Sequence, residues 1–161
     1  MIRTRLAVAI ASLTPAIAVA AATQAPAQVR GGQVRLTPAE IDRLAKGEAG
    51  PGTSGIAGIR TTILLGDPAA AGPYVIALQV PANTQIAAHS HRDARSAVVV
   101  SGTWYFGYGR AADAGAAKAL PPGSVYTEAA GDPHFAMTRD MPATVYISGY
   151  GPTDTQYTAA P

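Results

Sequence analysis

The 161-residue chain contains no cysteine, so it can form no disulfide, and a lipid anchor attached through cysteine is excluded as well. Charged residues make up only 14% of the chain, and histidine occurs three times. No block of basic residues is present after the first few positions. The sequence therefore gives no support for binding to nucleic acid, and we expect no nucleic-acid partner.

The first 22 residues have the composition of a targeting segment. A short start with Arg3 and Arg5 precedes an apolar stretch of small residues over 6–22, and A-x-A cleavage patterns occur at 18–20 and 25–27. This layout predicts a secretory signal peptide over residues 1–22. The mature protein would then be secreted, in a bacterium into the periplasm, and would have no membrane contact. An uncleaved membrane anchor is the alternative, which a proline within the apolar stretch disfavours.

Residues 23–55 are predicted to contain a linker and one short helix. Thr37 is a good N-cap, Glu40 completes a capping box, and Gly47 is placed to end the helix. The glycine-rich stretch 47–58 is expected to form a flexible loop.

From residue 56 to residue 151 the pattern changes to short strands. The 17 glycines and 13 prolines favour strands joined by tight turns over a helix bundle, and many strands at close spacing favour a closed barrel or sandwich. Residues 110–120 read as a loop or a short helical turn, and 152–161 as a C-terminal tail. Strands are predicted at 59–65, 74–80, 84–91, 96–109 (two strands with a turn at 101–102), 123–128, 133–139 and 143–151.

The three histidines occur at only two places in the chain. His89 and His91 share one face of a strand, about 7 Å apart, and can converge on one ion. His134 begins another predicted strand after a Gly/Pro turn. The spacing favours a shared metal site. The alternative is a pair of half-exposed strand histidines and a third that packs or caps.

The residues around the first two histidines resemble the first motif of the cupin superfamily, G-x5-H-x-H-x3,4-E-x6-G. His89, His91 and Gly102 match with the correct spacing, and Asn83 takes the place of the first glycine. The resemblance to the superfamily covers about residues 59–150.

The residues around the third histidine resemble the second cupin motif, G-x5-P-x-G-x2-H-x3-N. Gly123, Gly131 and His134 match at the correct intervals. Ala129 replaces the proline and Thr138 replaces the asparagine.

The resemblance implies an all-β chain with a cupin-type jelly-roll β-barrel over 56–151, preceded by the short N-terminal helix. It also implies a divalent transition metal, such as iron, manganese, nickel or zinc, held by His89, His91 and His134. Cupins act as dioxygenases, isomerases and lyases or as non-catalytic binders, and they often form homodimers.

The glutamate of the first motif is missing. Its position falls on Arg95 or Ser96, and a guanidinium cannot ligate a metal. Glu128 is the best compensating charge: it could pair with Arg95, reach the metal as a fourth ligand, or serve as a general base. Arg95 could instead grip an anionic substrate. In further alternatives Arg95 turns outward and Ser96 inward, or Asp93 acts as an unconventional ligand.

Aromatic side chains surround this region. Trp104, Phe106 and Tyr108 share one strand face and are expected to belong to the core. Tyr126 shares a face with Glu128, so its hydroxyl could reach a substrate, although packing is the simpler interpretation.

Three functions fit this sequence. The first is a metalloenzyme of dioxygenase, isomerase or lyase type acting on a small organic molecule, with an anion held by Arg95 as one option. The second is a non-catalytic cupin that binds a metal or small ligand, favoured by the missing glutamate. The third is a metal-free structural barrel.

Overall fold

The computed structural model describes residues 32–48, 50 and 52–158. The predicted signal peptide over residues 1–22 lies outside the described residues. Among the residues that are described, no helix is long and apolar enough to cross a membrane.

The helix predicted before the barrel is present but short. It is α1 (Pro38–Ile41), and the Glu40 carboxylate accepts a hydrogen bond from the backbone N–H of Thr37 at 2.7 Å. The expectation that the helix extends to Gly47 is wrong. None of its residues is buried. A short helix is not stable from its intrinsic propensity alone, and this one has no packed face that would stabilise further turns.

Strands are the main secondary structure of the described chain, as the glycine- and proline-rich composition predicts. Each is short and bounded by turns. They are β1 (Arg60–Leu65), β2 (Gly72–Val80), β3 (Gln85–Ser90), β4 (Arg95–Ser101), β5 (Trp104–Tyr108), β6 (Lys118–Leu120), β7 (Val125–Glu128), β8 (His134–Met137), β9 (Ala143–Gly151) and β10 (Gln156–Tyr157).

The strands form two antiparallel sheets of five strands each. One has the order β1-β2-β9-β4-β7 and the other β10-β3-β8-β5-β6. Except for the pairs β1–β2 and β5–β6, consecutive strands cross between the sheets, as in a jelly roll. The predicted all-β jelly-roll class is confirmed.

The core lies between the sheets and uses alternate residues of each strand. On β4, Arg95, Ala97 and Val99 point inward and are buried, whereas Ser96 and Val98 are exposed. Both sheets contribute to one apolar cluster, and its members include Ile76, Leu78, Ile86, Trp104, Phe106, Ala136, Val145 and Ile147. The polar site residues project from the same inner faces.

Two strands lie where the sequence indicated none. β6 falls within 110–120, a stretch that we read as a loop or helical turn, and β10 falls within the expected tail. β10 pairs with β3 through Gln156 opposite Ser90 and Tyr157 opposite His89. Both strands are held by backbone hydrogen bonds at sheet edges, which leave little trace in a hydrophobic pattern.

The stretch expected to be a flexible loop is partly ordered against the barrel. Gly47 forms an isolated bridge with Thr61, and the side chains of Thr53 and Ser54 are buried. We call residues 52–54 the strap, because they lie across one end of the barrel next to the histidines.

Candidate metal centre

The three histidines meet inside the barrel because of the pairing between β3 and β8. His89 and His134 are direct cross-strand partners, and His91 follows two positions after His89 on the same face. The ring centroid of His89 lies 4.9 Å from that of His91 and 4.5 Å from that of His134. All three residues are buried, with at most 5% of their surface exposed.

Each imidazole is oriented by a backbone carbonyl at its Nδ1 atom. The Nδ1 of His89 lies 2.7 Å from the Ala87 carbonyl, that of His134 lies 3.3 Å from the Asp132 carbonyl, and that of His91 contacts the Asp154 carbonyl. A carbonyl only accepts hydrogen bonds, so each Nδ1 carries the proton and donates it. The Nε2 atom of each ring therefore carries the lone pair.

The arrangement of ring nitrogens fits a metal ion. One nitrogen from each histidine lies within 4.8 Å of those of the other two. Among the described residues, the Nε2 atom of His134 is buried without a hydrogen-bond partner. Neutral imidazole nitrogens are good ligands for zinc, iron, nickel and copper, and hydrogen bonding at Nδ1 is typical of metal-binding histidines. The residues can therefore hold a divalent transition metal.

A buried ion pair lies next to the histidines. Arg95 and Glu128 are 5% and 4% exposed, and the Arg95 Nε and Nη2 atoms each lie 2.5 Å from Glu128 Oε2. Arg95 Nη1 donates to the Gly52 carbonyl at 2.7 Å, and Nη2 also lies 2.5 Å from His91 Nε2. All three guanidinium nitrogens thus contact protein acceptors.

The carboxylate of Glu128 reaches two of the histidines. Its Oε2 atom lies 3.7 Å from His91 Nε2, and its Oε1 atom lies 3.6 Å from His134 Nε2. Glu128 therefore places negative charge beside the histidine nitrogens, although it comes from a different strand than the glutamate of the cupin motif.

Burial keeps the histidines neutral. Loss of solvation lowers the pKa of His89 to about 4 and that of His134 to about 4. The pKa of His91 is lowered to about 2, first by burial and then by the adjacent Arg95 cation. Near neutral pH the lone pairs are therefore not lost to protonation.

The alternatives left open for Arg95 are resolved by the β4 register. Arg95 points inward and contacts Glu128, whereas Ser96 is exposed and contacts Ser148 on the outer face. Asp93 is not part of the histidine cluster, because its carboxylate accepts a hydrogen bond from the Tyr74 hydroxyl at 2.7 Å. The two partners considered for an inward Arg95 were Glu128 and an anionic substrate, and in this structure the partner is Glu128.

The aromatic residues divide between the core and the surface. Trp104 and Phe106 are buried as expected. The prediction that Tyr108 belongs to the core is wrong, because this residue ends β5 and is 62% exposed. Its hydroxyl donates to the Thr127 carbonyl. Tyr126 is buried, packs on Phe106 with ring centroids 4.2 Å apart, and lines the same cavity as Glu128. Burial and the nearby Glu128 raise the pKa of Tyr126 well above its usual value.

The cavity beside the histidines is small. Its volume is about 20 Å³, which is space for roughly one water molecule. Charged and polar lining groups come from His89, His134, Arg95 and Glu128, and the buried Trp104 Nε1 and Ser54 Oγ atoms have no hydrogen-bond partner among the described residues. In this conformation the cavity is too small for an organic substrate.

The strap lines the cavity through Gly52 and Ser54, and the C-terminal segment holds the strap in place. The Thr155 hydroxyl donates to the Thr53 carbonyl at 2.8 Å, and the Tyr157 hydroxyl donates to the Ser54 carbonyl. Sequence analysis placed neither segment at the site. Both are short and polar, and their contacts are to backbone carbonyls, so no side-chain motif identifies them.

Comparison with known proteins supports the fold. No model of a protein family matches the sequence, and no curated protein matches it either. Among solved structures, the polyketide cyclase RemF from Streptomyces resistomycificus is 14% identical, with 81% of this chain and 88% of that chain covered at a TM-score of 0.61. The DMSP lyase DddQ from Ruegeria pomeroyi DSS-3 is 16% identical, with 79% and 77% covered at a TM-score of 0.55.

A structure described as an RmlC-like cupin, from Shewanella frigidimarina NCIMB 400, is also similar: 14% identity, 59% of this chain and 78% of that chain, and a TM-score of 0.49. This chain has the cupin fold. At these identities the likeness concerns the fold alone. The chain spans about half, 47%, of the length of a DMSP lyase chain that it also matches.

The cupin fold explains the motif positions that carry no ligand. Asn83, which replaces the first motif glycine, has a φ of 55°, a left-handed conformation that asparagine tolerates better than most residues. Gly102 has a φ of 72° and faces the backbone of Pro142 and Ala143 so closely that a Cβ atom would clash. The Asn83 turn leads into β3, which carries His89, and the Gly102 turn joins β4 to β5.

Proposed function

We propose that the protein is a small cupin that binds a divalent transition metal through His89, His91 and His134 and acts on a small organic molecule. One observation carries the proposal: three neutral imidazoles converge in a buried cavity, each oriented by a carbonyl at Nδ1. Three neutral ligands leave further coordination positions open, as in catalytic rather than closed structural sites.

The metal would supply Lewis acidity, or redox chemistry if it is iron or manganese. The chain's own groups complete the site. Glu128 lies within 3.7 Å of two histidine nitrogens and is the group best placed to accept a proton. Tyr126 and the indole N–H of Trp104 border the same cavity and can orient a bound oxygen atom. Arg95 pairs with Glu128 and fixes the position of its carboxylate.

The reaction class that fits these groups is a lyase, isomerase or dioxygenase reaction on a small molecule. Two of the structurally similar proteins are named as a cyclase and a lyase, which agrees with small-molecule chemistry in this fold. An anionic substrate requires Arg95 to exchange a protein acceptor for the ligand, because its guanidinium nitrogens contact Glu128, Gly52 and His91. We further propose secretion after cleavage of residues 1–22, and self-association as a homodimer.

A non-catalytic metal- or ligand-binding cupin is the second candidate. The cavity of about 20 Å³ favours it, since only an ion and a water-sized group fit while the strap is closed. An enzyme of this architecture would need the strap to move away during each turnover.

Elemental analysis of the purified mature protein tests the metal site. We expect about one equivalent of a transition metal, with loss of the metal in His89→Ala and His134→Ala. Ser90→Ala is the matched control, because Ser90 lies between the two first-motif histidines but is not one of the clustered ligands. Unchanged metal content in the two histidine variants would show that the metal lies elsewhere or is absent. Turnover of oxygen or of a substrate panel by the metal-loaded protein then separates the enzyme from the binder.

A further inference from the structure

Arg95 makes a contact that bears directly on the proposed metal centre. Its Nη2 atom lies 2.5 Å from Nε2 of His91. The Nδ1 of His91 already donates to the Asp154 carbonyl, so Nε2 has the lone pair and accepts from Arg95. The hydrogen bond therefore uses the electron pair that a metal ion would need.

One imidazole lone pair cannot accept a hydrogen bond and ligate an ion at the same time. Metal binding at His91 therefore requires the hydrogen bond from Arg95 to break. The contrast with the other two histidines is clear: no hydrogen bond from Arg95 reaches His89, and His134 Nε2 has no partner among the described residues.

Charge acts in the same direction as the hydrogen bond. The guanidinium is permanently cationic and 5% exposed, so it repels a divalent ion with little screening by water. Glu128 balances that single charge but cannot balance an added divalent ion as well. Because Glu128 already balances Arg95, the ion pair offers no net negative charge to a metal ion in this cavity.

The strap holds the guanidinium where it competes. The Gly52 carbonyl accepts from Arg95 Nη1 at 2.7 Å, and a Cβ atom at Gly52 would lie 3.1 Å from the same nitrogen. Movement of Arg95 away from His91 is therefore coupled to the strap, two of whose residues, Gly52 and Ser54, also line the cavity.

We propose that Arg95 is a built-in competitor of the metal: its guanidinium occupies the His91 lone pair and lowers the metal affinity of the site. This inference rests on the proposed metal centre. It makes the metal-free protein a stable folded form, and it makes metal binding and strap position mutually dependent.

The test is the dissociation constant for Zn²⁺, measured by calorimetry or by competition with a chromophoric chelator, in wild-type protein and in Arg95→Gln. We expect Arg95→Gln to bind at least tenfold more tightly. Arg92→Gln is the matched control. It removes the same charge at a position three residues before Arg95, from a side chain that is 58% exposed. Its affinity should stay within about threefold of wild type.

Arg95→Gln leaves Glu128 as a buried unpaired charge, so a second variant guards against misfolding. The double variant Arg95→Met/Glu128→Gln removes both charges and leaves the net charge of the site unchanged. Tighter Zn²⁺ binding than in wild type would show that the hydrogen bond to His91, and not only net charge, restrains the metal. Co²⁺ absorption in each variant reports whether nitrogen ligands are engaged.

The possible failures are distinguishable. Equal Zn²⁺ affinity in wild type and in both Arg95 variants would overturn the competitor role while leaving the metal centre intact. Binding in none of them would overturn both the competitor role and the three-histidine site. Weaker binding in the double variant would show that Arg95 supports the metal rather than opposing it.

Discussion

Arg95 lies directly opposite Glu128 on the paired strands β4 and β7, and both side chains point into the barrel. The strand register alone therefore places the cation that replaces the motif glutamate beside the one carboxylate that can neutralise it. A single-residue shift of β7 in this pairing would turn Glu128 to the outer face and leave Arg95 without its partner. The pair is thus as much a property of the sheet as of the site.

Removal of the carboxylate should be costly. In Glu128→Gln the buried Arg95 loses its counter-charge, and breaking such a pair destabilises proteins by about 3–5 kcal/mol. Denaturant unfolding of the metal-free protein measures the change. Glu48→Gln is the control: Glu48 is 83% exposed and pairs with Arg60 at the surface, so its loss should cost less than about 1 kcal/mol. Similar effects of the two changes would contradict a buried ion pair.

Acid should destabilise the metal-free protein before its carboxylates titrate. Folding lowers the pKa of His89 and His134 from 6.5 to about 4 and that of His91 to about 2, so only the unfolded chain takes up these protons between pH 6.5 and pH 4. The free energy of unfolding should therefore fall as the pH falls through this range and be insensitive to these groups above it. Unfolding curves at several pH values measure the slope, and a flat profile from pH 6.5 to 4.5 would show that the histidines are solvated.

Metal should stabilise the fold by mass action. Free Zn²⁺ at 100 times its dissociation constant should add about 2.7 kcal/mol to the free energy of unfolding. A thermal melt with Zn²⁺, repeated after addition of a chelator, measures the gain and its reversal. His134→Ala should show no comparable gain, and an equal gain in that variant would place the bound ion outside the histidine cluster.

Loosening the strap should speed metal exchange. Tyr157→Phe removes the hydroxyl that donates to the Ser54 carbonyl, and one such hydrogen bond contributes about 0.5–1.5 kcal/mol. We expect a chelator to extract the metal about three- to tenfold faster. Tyr150→Phe, at a position 66% exposed, should exchange at the wild-type rate. An unchanged rate in Tyr157→Phe would indicate that the metal leaves by a route that does not involve the strap.

The sequence predicted the barrel well because its strands alternate strongly. β9 lies at residues 143–151 as predicted, and the turn between β4 and β5 lies at 102–103, one residue after the predicted 101–102. The spacing of His89 and His91 fixes a shared face, and the turn before His134 makes convergence with them geometrically simple. Strand alternation and the two-residue spacing of the histidines are local patterns, so they can be read from the sequence without knowledge of the strand pairing.

The rest of the site depends on long-range pairing that no local pattern reveals. The partner of Arg95 was one of several options until the β4–β7 register excluded the outward orientation. The strap and β10 are short and polar, and they are held by backbone carbonyls over large sequence separations. Local propensity also predicted a longer α1 than the structure has, because none of its residues packs against the core to stabilise further turns.

The contacts that close the strap have a consequence for the order of folding. Thr155 and Thr53 are 102 positions apart, and Tyr157 and Ser54 are 103 positions apart. Such contacts form only after nearly the whole barrel is assembled, since a long loop must be closed to make them. During synthesis the histidines can thus be in place while the entrance is still open. An ion that binds at that stage would then be enclosed when the strap docks on the C-terminal segment.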